Sequence, residues 1–343
     1  VVVVDNTTRA AIANSTSGNR SEINADGLIS ITATATETGR LFGMAGAAGG
    51  TAGVGAGAGV YVLGTTTEAL IGDFAKVGNS FDAGSLVVSA SDVSDLFSVA
   101  GAAGVGGTAG AGAGISVGDL GKTTTAEIGA STIVETGNVI VDAASAEEIL
   151  AITAGIGVGG KAGLAGAVTV LSATPVTTAR IDQNALVFTD GNVAILAEGQ
   201  TTLDMIDGAF AAGTAGIGAS GGVTVISATT LATIENNAQV TALGNGDAQD
   251  YVTGYTPSFS AYGSDDNGLA AANFDPAATD ELTDADAAEA RDAGLKLLSQ
   301  SRDAIADNAS ARGVIVNAVD NTAVRALSVA GSVGAVGISV SAS

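Results

Sequence analysis

The chain has 343 residues, 50 of them Gly, with no Cys, His or Trp and only 3 Pro. These absences exclude disulfide frameworks, thiolate and imidazole metal sites, Cys- and His-based nucleophile systems and a histidine switch near neutral pH. At 46% hydrophobic the chain is too apolar to be a disordered linker, and 12 Lys+Arg against 35 Asp+Glu, a net charge of -23, argue against nucleic acid or an anionic membrane surface as partner.

The chain opens VVVVDNTT, without the basic region, apolar run and cleavage site of a secretory signal, which fits a mature or excised segment. A block then recurs along it. Its first element is Thr-rich and reads as a turn leading into a short apolar segment: Thr7-Thr8-Arg9-Ala10-Ala11-Ile12, with counterparts ending at Ile71, Ile128, Ile181 and Ile234, so that the closing isoleucines step by 59, 57, 53 and 53 residues. The second element alternates apolar positions and ends in Ala, as in Ile29/Ile31/Ala33, Leu86/Val88/Ala90, Val139/Val141/Ala143, Val193/Ile195/Ala197 and Val314/Val316/Ala318. Period two predicts strands. Gly27, Gly84, Gly137, Gly191 and Gly313 stand at the turns before them, where positive φ is expected.

The third element is a Gly/Ala tract that resolves into a Val/Ile strand, as in 45–62, 100–117, 154–170, 208–225 and 328–340. Within 52–62, Ala and Val occupy one face and Gly53, Gly55, Gly57 and Gly59 the other, a nearly bare face that another backbone can approach closely. The uncharged run 41–67 has the small-residue spacing of a membrane helix, but Lys161, Asp204 and Asp207 fall in or beside equivalent tracts and glycine is a poor helix former. No membrane insertion is expected.

Blocks of about 55 residues, repeated five times, describe an all-β fold: a repetitive parallel β-solenoid with two or three coils per block, in which the Thr pairs stack into ladders. Residues 1–244 and 313–343 carry the repeats. Residues 245–312 interrupt them with an acidic insertion of 13 acidic and 4 basic residues, in which 279–308 has the pattern of a helix.

Carboxylate clusters are the only raw material for a site. Asp265, Asp266, Asp284 and Asp286 could offer oxygen ligands to Ca²⁺, although neither the EF-hand nor the nonapeptide calcium pattern occurs; a solvated acidic surface is the plainer reading. Tyr251, Tyr255, Phe259 and Tyr262 suit stacking on a glycan or contact with a receptor, or pinning of the insertion to the solenoid wall. Asn6, Asn14 and Asn308 stand in Asn-x-Ser/Thr triplets. No acid/base pair for a polysaccharide-active β-helix enzyme stands out, so no catalytic residue is assigned.

The texture TTxAxI, then G-x-V-x-V-x-A, then a Gly/Ala tract ending in V-x-V resembles the repetitive shafts of large bacterial surface proteins of the filamentous haemagglutinin and leukotoxin-like adhesin type. The resemblance covers the chain outside the insertion and implies a secreted, right-handed parallel β-helix projecting from a cell. The expected function is therefore that of an extracellular structural fibre, with a glycan- or receptor-binding module as the alternative. Val1–Val4 and Ile338-Ser339-Val340 occupy the same phase of the repeat, which predicts head-to-tail self-association, with lateral packing through the bare Gly faces.

Overall fold

The computed structural model describes residues 1–79, 84–256 and 305–343, and every regular element among them is a strand. Two units are distinguished: Val1–Val252 with Asn308–Ser343, and Thr253–Asp307.

The first unit is a parallel β-solenoid whose coils are built on three sheets. Sheet I holds the long strands β3 (Ile29–Gly49), β6 (Leu86–Gly106), β9 (Val139–Gly159), β12 (Val193–Ala212) and β18 (Val314–Val333), in the order β18-β12-β9-β6-β3. Sheet II faces it with β1 (Val2–Ile12), β4 (Ala52–Ile71), β7 (Ala109–Ile128), β10 (Ala162–Ile181), β13 (Ala215–Ile226), β14 (Thr229–Ile234) and β19 (Val336–Ala342). Sheet III is a narrow side wall of β2 (Glu22–Ile23), β5 (Lys76–Val77), β8 (Ile133–Thr136), β11 (Leu186–Thr189) and β15 (Gln239–Ala242). Two further strands, β16 (Gln249–Thr256) and β17 (Ile305–Ala311), pair with each other.

Each repeat is one coil, not the two or three expected from its length. The reason is that the Gly/Ala tract, the Val/Ile segment and the Thr pair are a single strand: β4 runs unbroken for 20 residues from Ala52 to Ile71, about 65 Å at 3.3 Å per residue. The Thr pairs are therefore not turns. They do form the expected ladder, Thr8↔Thr67↔Thr124↔Thr177↔Thr230, beside an isoleucine ladder Ile12↔Ile71↔Ile128↔Ile181↔Ile234. Left-handed backbone occurs at Phe74, Ser131, Asn184 and Asn237, each three residues beyond a closing Ile; of the glycines expected there, only Gly313 has positive φ.

The interior narrows along the coil. Next to sheet III, Ile, Leu and Val from all three sheets fill it, including Ile71, Val77, Leu86, Ile128, Val134 and Val187. Midway a second cluster contains Tyr61, Leu63, Leu120, Ile149, Leu203 and Met205, and further along only alanines such as Ala165 and Ala211 remain. At the far end the backbones meet. A Cβ added at Gly110 would stand 2.0 Å from the Val158 carbonyl oxygen, and one at Gly57 would stand 2.1 Å from that of Gly101. The bare Gly face thus points inward and is consumed by the coil's own opposing sheet, so it cannot serve lateral packing between solenoids.

Pro175 interrupts sheet II in a specific way. With no N–H it cannot donate to the neighbouring strand, and the pairing of β10 lapses there, between Ala173↔Ile226 and Val176↔Thr229. The insertion leaves at Gly244 (φ +69) and the chain returns at Gly313, whose N lies 3.5 Å from an ideal Gly244 Cβ; Val193↔Val314 then resumes the register. Of the helix expected over 279–308, residues 279–304 lie outside the described residues, and 305–308 belong to β17, where pairing with β16 overrides the helical pattern.

The narrowing predicts opposite responses for neighbouring positions of β7. Gly110→Val drives a side chain into a carbonyl that cannot move without the ladder and should cost about 3 kcal/mol. Ala113→Val, whose side chain faces outward, should change the melting temperature little in thermal unfolding followed by circular dichroism.

Candidate functional site

A polar seam runs through the solenoid between sheets I and II. Alternation places Lys122 on the inward side of β7, in phase with Thr124, Ala126 and Ile128. The same alternation turns Asp92, Ser94, Ser145 and Glu147 inward from β6 and β9, with Glu37 from β3. All are buried.

Lys122 Nζ lies 2.9 Å from Asp92 Oδ1 and 3.3 Å from Glu147 Oε1, with all three side chains fully out of solvent. It also donates to the Asp92 carbonyl at 2.9 Å, the Ser94 hydroxyl at 3.1 Å and the Ala146 carbonyl at 3.2 Å. The carboxylates are held in turn by hydroxyls: Thr67 donates to Asp92 Oδ2 at 2.8 Å, Thr201 donates to Glu147 Oε2 at 2.8 Å, and Ser145 donates to Glu147 Oε1. Glu37 accepts from Asn6 Nδ2 and from Ser94 Oγ, each at 3.2 Å. Burial, then the neighbouring Asp92 carboxylate, push the Glu37 carboxyl above its ordinary range, against the pull of Asn6 and Ser94. One buried cation thus faces two carboxylates, beside a third carboxyl held toward its neutral form.

A second polar cluster lies further along the coil. Thr169 donates to Asp207 Oδ1 at 2.5 Å and shares a 2.6 Å hydrogen bond with Thr153, and Ser98 and Ser116 pair at 3.1 Å. Burial raises Asp207 as well. On the outer side of β9, Asp142 accepts from Ser89 at 3.4 Å; burial first, then the charge of Glu198, push its carboxyl up to about 6.

These groups are enclosed by the two sheets, so their chemistry is that of internal ties. Lys122 lies between the two carboxylates, and among the described residues no group of three or more acidic side chains is arranged to hold a metal ion. Tyr251 and Tyr255 are placed, half-buried, in β16, whereas Phe259, Tyr262, Asp265, Asp266, Asp284 and Asp286 lie outside the described residues. Composition and motif had passed over Lys122, Asp92, Glu37 and Glu147. Their phase relative to the apolar ladder was the available signal, since each shares the parity of buried residues two positions away. Among the described residues no helix is long and apolar enough to cross a membrane. No family model, no curated protein and no solved structure matches the chain.

Two variants test the electrostatics. Lys122→Met leaves Asp92 and Glu147 buried without their cation and should destabilise the solenoid by about 3–5 kcal/mol; adding Asp92→Asn and Glu147→Gln should return most of that in urea denaturation. Asp142 titrates near 6 in the fold against 3.8 ordinarily, so the folded state holds its proton more tightly. Its contribution is therefore greatest below pH 4 and is lost as pH rises through 6. Asp142→Asn should melt above wild type at pH 7.5, with the difference closing by pH 4.

Proposed function

We propose that the chain is a shaft segment of an extracellular filamentous surface protein, structural rather than enzymatic, continued head to tail by coils of the same phase. The observation that carries this reading is the in-register parallel ladder, which runs through to the outermost strands. In sheet II, β1 covers only the positions of β4 from Tyr61 to Ile71, because Val2 pairs Tyr61 and Ile12 pairs Ile71. At the other end β19 stops at Ala342, which pairs Gly221, and the ladder carries that position through Val168 and Ile115 to Ala58. Both outermost strands thus keep the register of the interior coils, so a further coil of the same repeat can pair with either of them.

Further support comes from the open ladders. Sheet I ends on β3 at one side and β18 at the other, and outermost strands of this kind recruit further strands. A largely apolar notch of about 280 Å³, lined by Val2, Val4, Leu41, Tyr61 and Leu63 with Glu37 and Arg40 at its side, lies where β1 begins, at the place such a continuation would fill. The contact is heterologous and does not close, which generates a filament. In this role the insertion decorates the shaft.

Negative-stain electron microscopy of the chain should show unbranched filaments many coils long. A bulky monomeric domain fused directly behind Ser343 should abolish them. Particles of single-chain length at every concentration, or filaments that survive the fusion, would refute head-to-tail continuation.

A further inference from the structure

The half of the solenoid whose interior is closed by glycine has an exterior without polar side chains. On sheet II this band spans Ala52–Val60 of β4, Ala109–Val117 of β7, Ala162–Val170 of β10, Ala215–Val223 of β13 and Val336–Ala342 of β19, and each outward position in it is Ala, Val, Leu, Ile or Gly. Its larger side chains stand in water: Val54 is 71% exposed, Leu164 54% and Val223 57%. At 3.3 Å per residue and 4.8 Å per strand the band measures about 30 by 24 Å, or about 700 Å². That exceeds the largest apolar patch of an ordinary monomer, about 300–600 Å², and approaches the about 800 Å² per partner of a stable interface.

We infer that a second copy of this chain covers the band, face to face about a two-fold axis. Three features favour this occupant. The charge of the outer face of sheet II lies in the other half of the strands, in Asp5, Arg9, Glu68, Asp119, Glu127 and Arg180, where Arg9–Glu68 at 3.3 Å and Arg180–Glu127 at 2.7 Å pair across coils and Asp119 stands just beyond the edge of the band. A two-fold relation overlaps only the uncharged bands and carries the charged halves to opposite sides, so the net charge of -23 does not oppose it. The columns also differ in size: Val60, Val117, Val170 and Val223 make one ridge and Val54, Leu164, Ile217 and Ile338 a second that is broken at Ala111, with Ala56, Ala113, Gly166 and Ala219 in a furrow beside the second and Ile115 and Val168 standing between that furrow and the first. Ridges of one copy fit the furrow of the other, as in packed sheets. A bilayer suits the band less well. At the two sides of the band β4, which β1 covers only from Tyr61 onward, and β19 would carry open ladder groups into hydrocarbon, each at several kcal/mol.

This pairing is lateral and independent of head-to-tail continuation: it sets the width of particles, whereas continuation sets their length. The test places lysines on the band, at Val54→Lys with Leu164→Lys, in strands separated by β7 so that the two charges are not adjacent. A control carries Thr66→Lys with Thr178→Lys on the same sheet beyond the band. Wild type and control should give particles of double width in electron microscopy and paired species in sedimentation velocity, and the band variant single-width, unpaired species with an unchanged circular dichroism spectrum. Single-width wild-type particles, or pairing that survives the band lysines, would overturn the inference. Wild type that co-floats with phosphatidylcholine vesicles and does not pair would overturn it in favour of lipid.

Discussion

The parallel, in-register ladder is the constraint on which the rest of this structure depends. Every residue of a long strand lies about 4.8 Å from its counterpart one coil away, so a choice made at one position is repeated or answered directly above it. Apolar columns gain from this, as in the unbroken isoleucine ladder from Ile12 to Ile234 and the alanine ladder Ala33↔Ala90↔Ala143↔Ala197↔Ala318. Buried charge is penalised by it, because identical ions would stack at close range in a low-dielectric interior. The buried columns obey that rule: Glu37 is followed by Ser94, Glu147 and Thr201, and Asp92 lies between Ala35 and Ser145. On the outer face, where water screens, Asp95 pairs directly with Glu148.

Within that rule the charges that are buried have a positional consequence. Lys122 draws Asp92 from β6 and Glu147 from β9 to one ammonium, tying two consecutive coils of sheet I to sheet II at a single height. Apolar columns alone tolerate sliding along the strand by two residues, since Ile, Val and Ala recur with that period. A slip of two residues would move Lys122 away from both carboxylates and leave three buried charges unpaired, a loss that hydrophobic burial could not offset. The ionic seam therefore fixes register more than it adds stability.

Much of this was legible in the sequence, because the ladder writes itself as repetition. The repeat length, the parallel all-β architecture and the Thr ladder all follow from residues that recur at fixed phase. Coil number did not follow, since period two continues smoothly from Gly53 through Val60 to Thr67 and nothing marks whether such a run is one long strand or several short ones. The direction of the glycine face was ambiguous for a related reason. A row of glycines opposite a row of valines looks like a bare outside and an apolar inside; the structure reverses this, because 20-residue strands closed at both ends leave no room for side chains between them near the tight turns.

The same narrowing decides where such a coil can accept foreign sequence. At the glycine end the two long strands are joined by a turn in which a Cβ at Gly49 would stand 1.9 Å from the Ala52 oxygen, and the outgoing and returning backbones share almost no volume beyond their own atoms. An insertion there would have to part the strands that the glycines bring together. At the sheet III corner the core is wide, and the turn is held largely by hydrogen bonds to the coil before it: Asn192 Oδ1 accepts from Gly313 N at 2.7 Å, and Gly244 N donates to the Gly191 carbonyl at 2.9 Å. A chain that leaves at Gly244 and returns at Gly313 keeps both bonds whatever lies between. The chain departs at Gly244 and re-enters at Gly313, at the corner where the ladder is closed by the preceding coil, which is why β18 resumes in register with β12 over its full length.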